Sequence, residues 1–257
     1  MKNYYITTPI YYVNDKPHIG HAYTTILADT LSRFRQLINQ KTFFLTGLDE
    51  HGLKVQQAAE KNGANPQDHC DTMAPAFLEL WKRLNIQYSD FIRTTEERHV
   101  KIVQNILTEV YNNGDIYKDK YEGWYSIAEE RFITKKELDS GLFRDVKKIE
   151  EENYFFKMSK YQDQLIKKIE DDKEFIQPST RKNEVLGFLK QDLSDLCISR
   201  PKTRLEWGIE IPFDKDYVTY VWFDALINYI SSPKYSEDKN NFEENWPADV
   251  HLIGKDI

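Results

Sequence analysis

The first residues whose types and spacing could do chemistry are His18 and His21, in the string His18-Ile19-Gly20-His21. They follow a β-branched and aromatic run, Tyr4 to Thr8, and a turn region bounded by Pro9 and Pro17, and they open a strongly periodic stretch. Two imidazoles three residues apart share one side of a helix start, beside backbone N–H groups that favour anions. Gly20 has no Cβ, so a flat base or a ribose can approach the backbone there. Together these features describe an ATP cradle; the alternative is two surface histidines beside a helix cap. No G-x-G-x-x-G follows a strand and no G-x-x-x-x-G-K-[ST] occurs, so any nucleotide is held by other means.

The elements that must position this pair can be read from the hydrophobic pattern. Ile19, Tyr23, Ile26, Leu27, Leu31, Phe34 and Ile38 predict an amphipathic helix to about Asn39, with its stripe facing a sheet. Thr42 to Thr46 suits a strand buried on both faces, followed by a turn from Gly47 to Gly52 and a helix ending near Gly63. Asn65-Pro66 caps the next helix, whose apolar face carries Phe77, Leu80, Trp81 and Leu84. A strand around Asp90 to Arg93 follows. Thr94 and Glu97 then form a capping-box signature for a helix bearing Val100, Val103, Ile106, Leu107 and Val110, with Gly114 as its stop. Strands alternating with helices predict an α/β fold with a parallel sheet.

Past Gly114 the rhythm breaks. A charged run at Lys147 to Glu152 and helices at Lys160 to Glu170 and Asn183 to Asp192 mark an inserted subdomain. The α/β pattern resumes with a strand at Tyr217 to Trp222 running directly into a helix, and another strand at His251 to Gly254. The expected organisation is a first half-domain over 1–115, an insertion over 116–216, and the start of a second half over 217–257.

The chain has 257 residues, 35 Lys and Arg against 42 Asp and Glu, and a net charge of −7, which argues against generic electrostatic binding of nucleic acid. Sixteen Tyr, fourteen Phe and five Trp supply the large buried surfaces that a disordered chain lacks. Cys70 and Cys197 cannot make a disulfide framework and fit a reducing, cytoplasmic compartment as small buried hydrophobes. No segment reaches the roughly 18 apolar residues of a membrane span, and the N-terminus has no secretory pattern.

The ordered strings T-T-P-I-Y-Y-V-N-D-K-P-H-I-G-H, T-G-L-D-E-H-G, E-x-x-Y-F-F, I-S-R-P-K, W-G-I-x-I-P, Y-V-W-F-D-A-L-x-N-Y and H-L-I-G-K-D-I resemble the class I aminoacyl-tRNA synthetases, in their methionine-specific branch, along the whole chain. The resemblance implies a Rossmann-type fold split by a connective-peptide insertion. It also implies ATP-dependent activation of L-methionine to methionyl-adenylate, with magnesium, followed by transfer to tRNA(Met). By the same resemblance, His18 and His21 stabilise the α-phosphate as pyrophosphate leaves, and Gly20, Gly254 and Asp256 lie at the ATP. Asp49 takes the substrate ammonium, and Ile10, Tyr12, Trp222, Ala225, Leu226 and Tyr229 line the methionine pocket. Arg200 supports the active site. Periodicity alone assigns Trp222, Leu226 and Tyr229 to a core-facing stripe.

Two departures stand out. The family's K-M-S-K-S signature lies downstream of G-K-D-I, so the resemblance implies an N-terminal catalytic fragment without that loop or the anticodon-reading helical domain, contacting tRNA mainly through other segments. Lys157-Met158-Ser159-Lys160 is a decoy that begins an amphipathic helix in the insertion. Where many relatives carry a zinc knuckle, Ser126 and Glu129 stand in place of cysteines, and no structural metal is expected. His51, His69, His99 and His251 are assigned structural or surface roles. Alternatives are a class I synthetase for another apolar amino acid, since one methylene discriminates by only about 1–3 kcal/mol, and a non-catalytic RNA-binding or interaction module on the same fold.

Overall fold

The computed structural model describes residues 2–126, 131–133 and 135–254. In chain order it begins with β1 (Tyr4–Tyr12), α1 (Ile19–Leu37), β2 (Thr42–Asp49), α2 (Leu53–Lys61), α3 (Pro66–Arg83), β3 (Asp90–Arg93) and α4 (Glu97–Asn112). Next come β4 (Ile116–Ser126), β5 (Arg131–Ile133), α5 (Lys135–Asp139), β6 (Val146–Phe156), α6 (Gln162–Asp171) and α7 (Ser179–Leu189). The last stretch holds β7 (Leu196–Cys197), β8 (Ser199–Pro201), β9 (Glu210–Ile211), β10 (Asp214–Thr219), α8 (Val221–Leu226), α9 (Asn228–Ser231), α10 (Lys239–Asn245) and β11 (Val250–His251). The chain divides into two compact units, residues 1–108 with 200–257, and residues 109–199. The boundaries expected at 115/116 and 216/217 fall inside the second and first unit respectively, because α4 runs on across one division and β8 pairs with β10 just past the other.

The larger unit is built on a parallel sheet of order β11-β1-β2-β3. Successive side chains of its central strands enter different cores, as the two-residue period of a strand requires. Tyr4, Ile6, Phe44 and Leu48 join a cluster with Val55, Phe77 and Trp81, whereas Tyr5 and Leu45 join a second with Ile10, Ile92 and Ala225. Both strands extend further than their apolar runs suggested. β1 passes through Pro9 to Tyr12 with a register shift between Thr7 and Ile10, and β2 runs on to Asp49.

The apolar stripe of α1 does not face the sheet. Its buried residues are His21, Thr25, Ala28, Asp29 and Ser32, while Ile19 and Tyr23 are 87% and 72% exposed and Ile26, Leu27, Phe34 and Ile38 are exposed too. Small and polar side chains hold this helix by specific bonds. The Tyr11 hydroxyl lies 2.8 Å from Thr25 Oγ1, Ser32 Oγ donates to Thr42 Oγ1 at 3.1 Å, and Asp29 accepts from the Gln87 N–H at 2.8 Å. Of the predicted stripe only Leu31 packs against the core. Thr94 likewise departs from its expected capping role, since its hydroxyl accepts the Glu50 N–H at 2.9 Å, while the predicted Asn65 cap accepts from Asp68 N–H at 2.9 Å.

The smaller unit is an antiparallel sheet of order β5-β4-β6-β7 with α6 and α7. Its long ladder, Ile116 opposite Phe156 through Ser126 opposite Val146, was not legible in a sequence dense in Lys, Glu and Asp. The Lys157-Met158-Ser159-Lys160 string forms a short 3₁₀ turn here. Lys157 Nζ donates to Gly114 O, Lys160 Nζ to Asp115 and Ser159 Oγ to Asp195, at 2.7, 2.6 and 2.6 Å.

Gly47 is the tightest point of the sheet. It stands opposite Ile10 on one side and Ile92 on the other, and a Cβ there would lie 2.1 Å from the Ile92 carbonyl oxygen. Gly47→Ala is therefore expected to destabilise the fold by about 3 kcal/mol or more, measured as a lowered midpoint in urea unfolding.

Candidate active site

The carboxyl ends of β1 and β2 place the site, as in parallel α/β sheets generally. Tyr12, the last residue of β1, pairs in register with Asp49, the last of β2, and Asp49 is buried. The segment after Asp49 is locked from several directions. The buried Glu50 carboxylate accepts from Arg93 Nε at 2.7 Å and from the Thr95 hydroxyl, and Arg93 also reaches Asp71. The Trp207 indole N–H donates to the Glu50 carbonyl, and Gly52 N–H donates to Trp207 O at 3.2 Å.

His18 and His21 form a reciprocal cap on α1. Gly20 N–H donates to His18 Nδ1 at 3.1 Å, His18 N–H donates to His21 Nδ1 at 3.2 Å, and the rings stack with centroids 3.8 Å apart. Because both Nδ1 atoms accept, each ring when neutral carries its proton on Nε2. Burial, and then the neighbouring His18, lower the His21 pKa from its usual value to about 4. Tyr11, which no motif singled out, supports the pair from below: its ring lies 4.6 Å from His21, and its partner Thr25 donates to the His21 carbonyl at 2.9 Å. Gly20 has an immediate reason in this arrangement, since a Cβ would come within 3.0 Å of the His18 ring.

The expected pocket residues sit in three environments, Tyr12 packing against the first core cluster. Ile10, Ala225 and Tyr229 meet in the second core cluster, and the Tyr5 hydroxyl donates to Tyr229 O at 2.8 Å. Burial raises the Tyr229 pKa to about 12, which keeps the phenol protonated. Trp222 and Leu226 lie one turn apart on α8, 40% and 57% exposed, rather than in the predicted strand or a core-facing stripe. Arg200 is buried with its guanidinium 4.5 Å above the Tyr220 ring, and Tyr220 is the cap of α8. Gly254 is half-buried two residues after Leu252, whose N–H bonds to Thr7 O, and Asp256 lies outside the described residues, as does Glu129.

The four remaining histidines all have protein partners. His69 Nε2 lies 3.0 Å from Val13 O, His251 Nδ1 2.8 Å from Thr7 Oγ1, and His51 and His99 meet the buried Asp224. Cys70 is buried and Cys197 half-buried, both as free thiols. Among the described residues no group of three or more His, Cys, Asp or Glu is placed to hold a metal, and no helix is long and apolar enough to cross a membrane.

The family model "tRNA synthetases class I (M)" matches residues 4–141 and 140–257. The chain belongs to this class I tRNA synthetase family. It is 52% identical to methionine–tRNA ligase of Clostridium tetani and 53% identical to that of Clostridium acetobutylicum, in each case over the whole chain. It spans 41% and 40% of those relatives' lengths. A solved structure of Mycobacterium tuberculosis methionyl-tRNA synthetase in complex with methionyl-adenylate superposes with a TM-score of 0.93 at 41% identity, over all of this chain and 52% of that one.

The His21 environment has a measurable pH signature. A base whose folded pKa is lowered stays neutral in the fold where the unfolded chain already takes a proton, so its share of stability is complete above about pH 6.5 and is lost as pH falls toward 4. Imidazole nitrogen NMR should show the Nε2–H form of His21 persisting to about pH 4; a midpoint near 6.5 would contradict the arrangement.

Proposed function

We propose that this chain carries the amino-acid activation site of a methionine–tRNA ligase, which joins L-methionine to ATP as methionyl-adenylate and then passes the methionyl group to tRNA(Met). The observation that carries the proposal is the pairing of Asp49 with Tyr12 at the sheet's carboxyl edge, on the same two strands whose connection begins with the His18/His21 cap. A buried carboxylate there suits an ammonium, which it binds as a charge-assisted hydrogen bond.

In the first step a methionine carboxylate oxygen attacks the α-phosphorus and the bond to the pyrophosphate oxygen breaks. Charge builds on the α-phosphate oxygens, and the two Nε2–H groups are prepositioned donors to them. Neither histidine is needed as a general base, since the attacking carboxylate is already ionised. A His21 pKa near 4 keeps the ring neutral at physiological pH, so it meets the α-phosphate as a neutral N–H donor. Magnesium would serve the reaction as a counter-ion to the ATP phosphates. In the second step a ribose hydroxyl of the tRNA end attacks the carbonyl of the mixed anhydride, and AMP leaves.

The side-chain pocket would be made by Ile10, Tyr12, Trp222, Ala225, Leu226 and Tyr229, an aromatic and adaptable set that suits a flexible thioether. Gly20, Gly254 and Asp256 would lie at the ATP. The free thiols of Cys70 and Cys197 fit a cytoplasmic setting.

A thermal-shift panel of the amino acids, with and without magnesium and ATP, tests the proposal. A ligand at about 100 times its Kd adds about 2.7 kcal/mol to the native state, worth about 5–10 °C for a chain of this size. Methionine alone should give such a shift, and Asp49→Asn should remove it while leaving the unliganded Tm within about 3 °C. A shift with leucine or isoleucine instead would reassign the substrate, and none with any amino acid would favour an interaction module.

A further inference from the structure

We propose that Asp224 is a positioning residue for amino-acid recognition: its buried carboxylate ties the back of α8 to the segment after Asp49 through His51, and to α4 through His99. The inference rests on the methionine-pocket assignment above and goes beyond it by naming what holds the pocket wall in place.

The wall needs such a device. α8 has six residues and α9 four, each about one turn, and helices that short are not stable unaided. Trp222 and Leu226 are largely open, so the buried side chains that hold α8 are Val221, Ala225 and Asp224, of which Asp224 is the polar one. At about 100° per residue, Asp224 lies roughly 200° around the helix from Trp222, and it is fully buried. Its Oδ2 makes a hydrogen bond with His51 Nδ1 at 3.0 Å, and its Oδ1 faces His99 Nε2 at 3.6 Å, a charge contact longer than a hydrogen bond. His99 then turns its other nitrogen, Nδ1, to Ser231 Oγ of α9 at 2.8 Å, so one imidazole engages both short helices.

The clamp continues directly to the ammonium site. His51 stands two residues after Asp49 and its ring lies 5.4 Å from that of Trp207, whose indole N–H holds the Glu50 carbonyl. Burying a carboxylate is costly, and an apolar residue would fill the same volume more cheaply. What the carboxylate adds is direction, since hydrogen bonds restrict angle as well as distance. Burial alone would raise the Asp224 pKa, but the two imidazoles outweigh it and hold the group below its usual value, as an anion.

Calorimetric titration of methionine, and separately of ATP, into the wild-type chain, Asp224→Asn and His99→Gln tests the proposal, with circular dichroism verifying folding at the titration temperature. Asp224→Asn should weaken methionine at least ten-fold and leave ATP within two-fold, and His99→Gln should weaken methionine three- to ten-fold with the same selectivity. A lowered Tm with methionine affinity within two-fold of wild type would mark Asp224 as merely structural and overturn the inference. So would an equal loss of both ligands, or failure of both variants to fold. A wild-type chain that binds no methionine would overturn the substrate assignment and the inference with it, whereas wild-type binding with indifferent variants would overturn the inference alone.

Discussion

The parallel pairing of β1 with β2 is the constraint on which the rest of the larger unit depends. Its register puts Tyr12 beside Asp49 and Ile10 beside Gly47, so the residues proposed for the ammonium contact and for two walls of the pocket are placed by backbone pairing. It also sets where the connection after β1 must begin its helix, and hence where His18 and His21 stand. Gly47 allows β3 to close on the opposite edge of β2 without a side chain between the backbones. A one-residue slip would turn Asp49 to the other face of the sheet.

Around that frame, apolar and polar contacts divide the work. The two core clusters are apolar and fill both faces of the sheet. The pieces that would meet a ligand are instead fixed by directed bonds: the reciprocal histidine cap of α1, the Glu50–Arg93–Asp71 chain at the strand ends, and Asp224 between His51 and His99. Apolar burial supplies stability without specifying angle, whereas directed hydrogen bonds restrict the arrangement they hold. Catalysis by prepositioned donors needs the second kind of support, because donors that must reorganise lose much of their effect.

Much of the larger unit was legible in the sequence where periodicity and caps agreed. The strand at Asp90–Arg93, the Asn65 cap and the parallel order of elements follow from short-range rules that tertiary contacts did not override. The face of α1 was not legible, because the burial rule assigns apolar residues inward and here Thr25, Asp29 and Ser32 are turned inward by bonds to partners distant in sequence or in the next strand. Trp222 read as strand for a related reason, since a run of aromatic and β-branched residues crosses the junction from β10 into α8 without a break. Within the candidate site, the His18/Gly20/His21 spacing left open an ATP cradle or two surface histidines beside a cap, whereas the expectations for Asp49 and most of the pocket came only from resemblance. Tyr11 and Asp224 lie inside the motif strings, but their residue types gave no sign of what they touch, and only the fold brings them to His21, His51 and His99.

The most direct measurement is the structure of the chain crystallised with methionine. The account places the ammonium nitrogen about 2.7–2.9 Å from the Asp49 carboxylate, with the thioether against Tyr12 and the Trp222–Leu226 face of α8. Methionine bound with its ammonium elsewhere, and Asp49 left to protein partners alone, would contradict it.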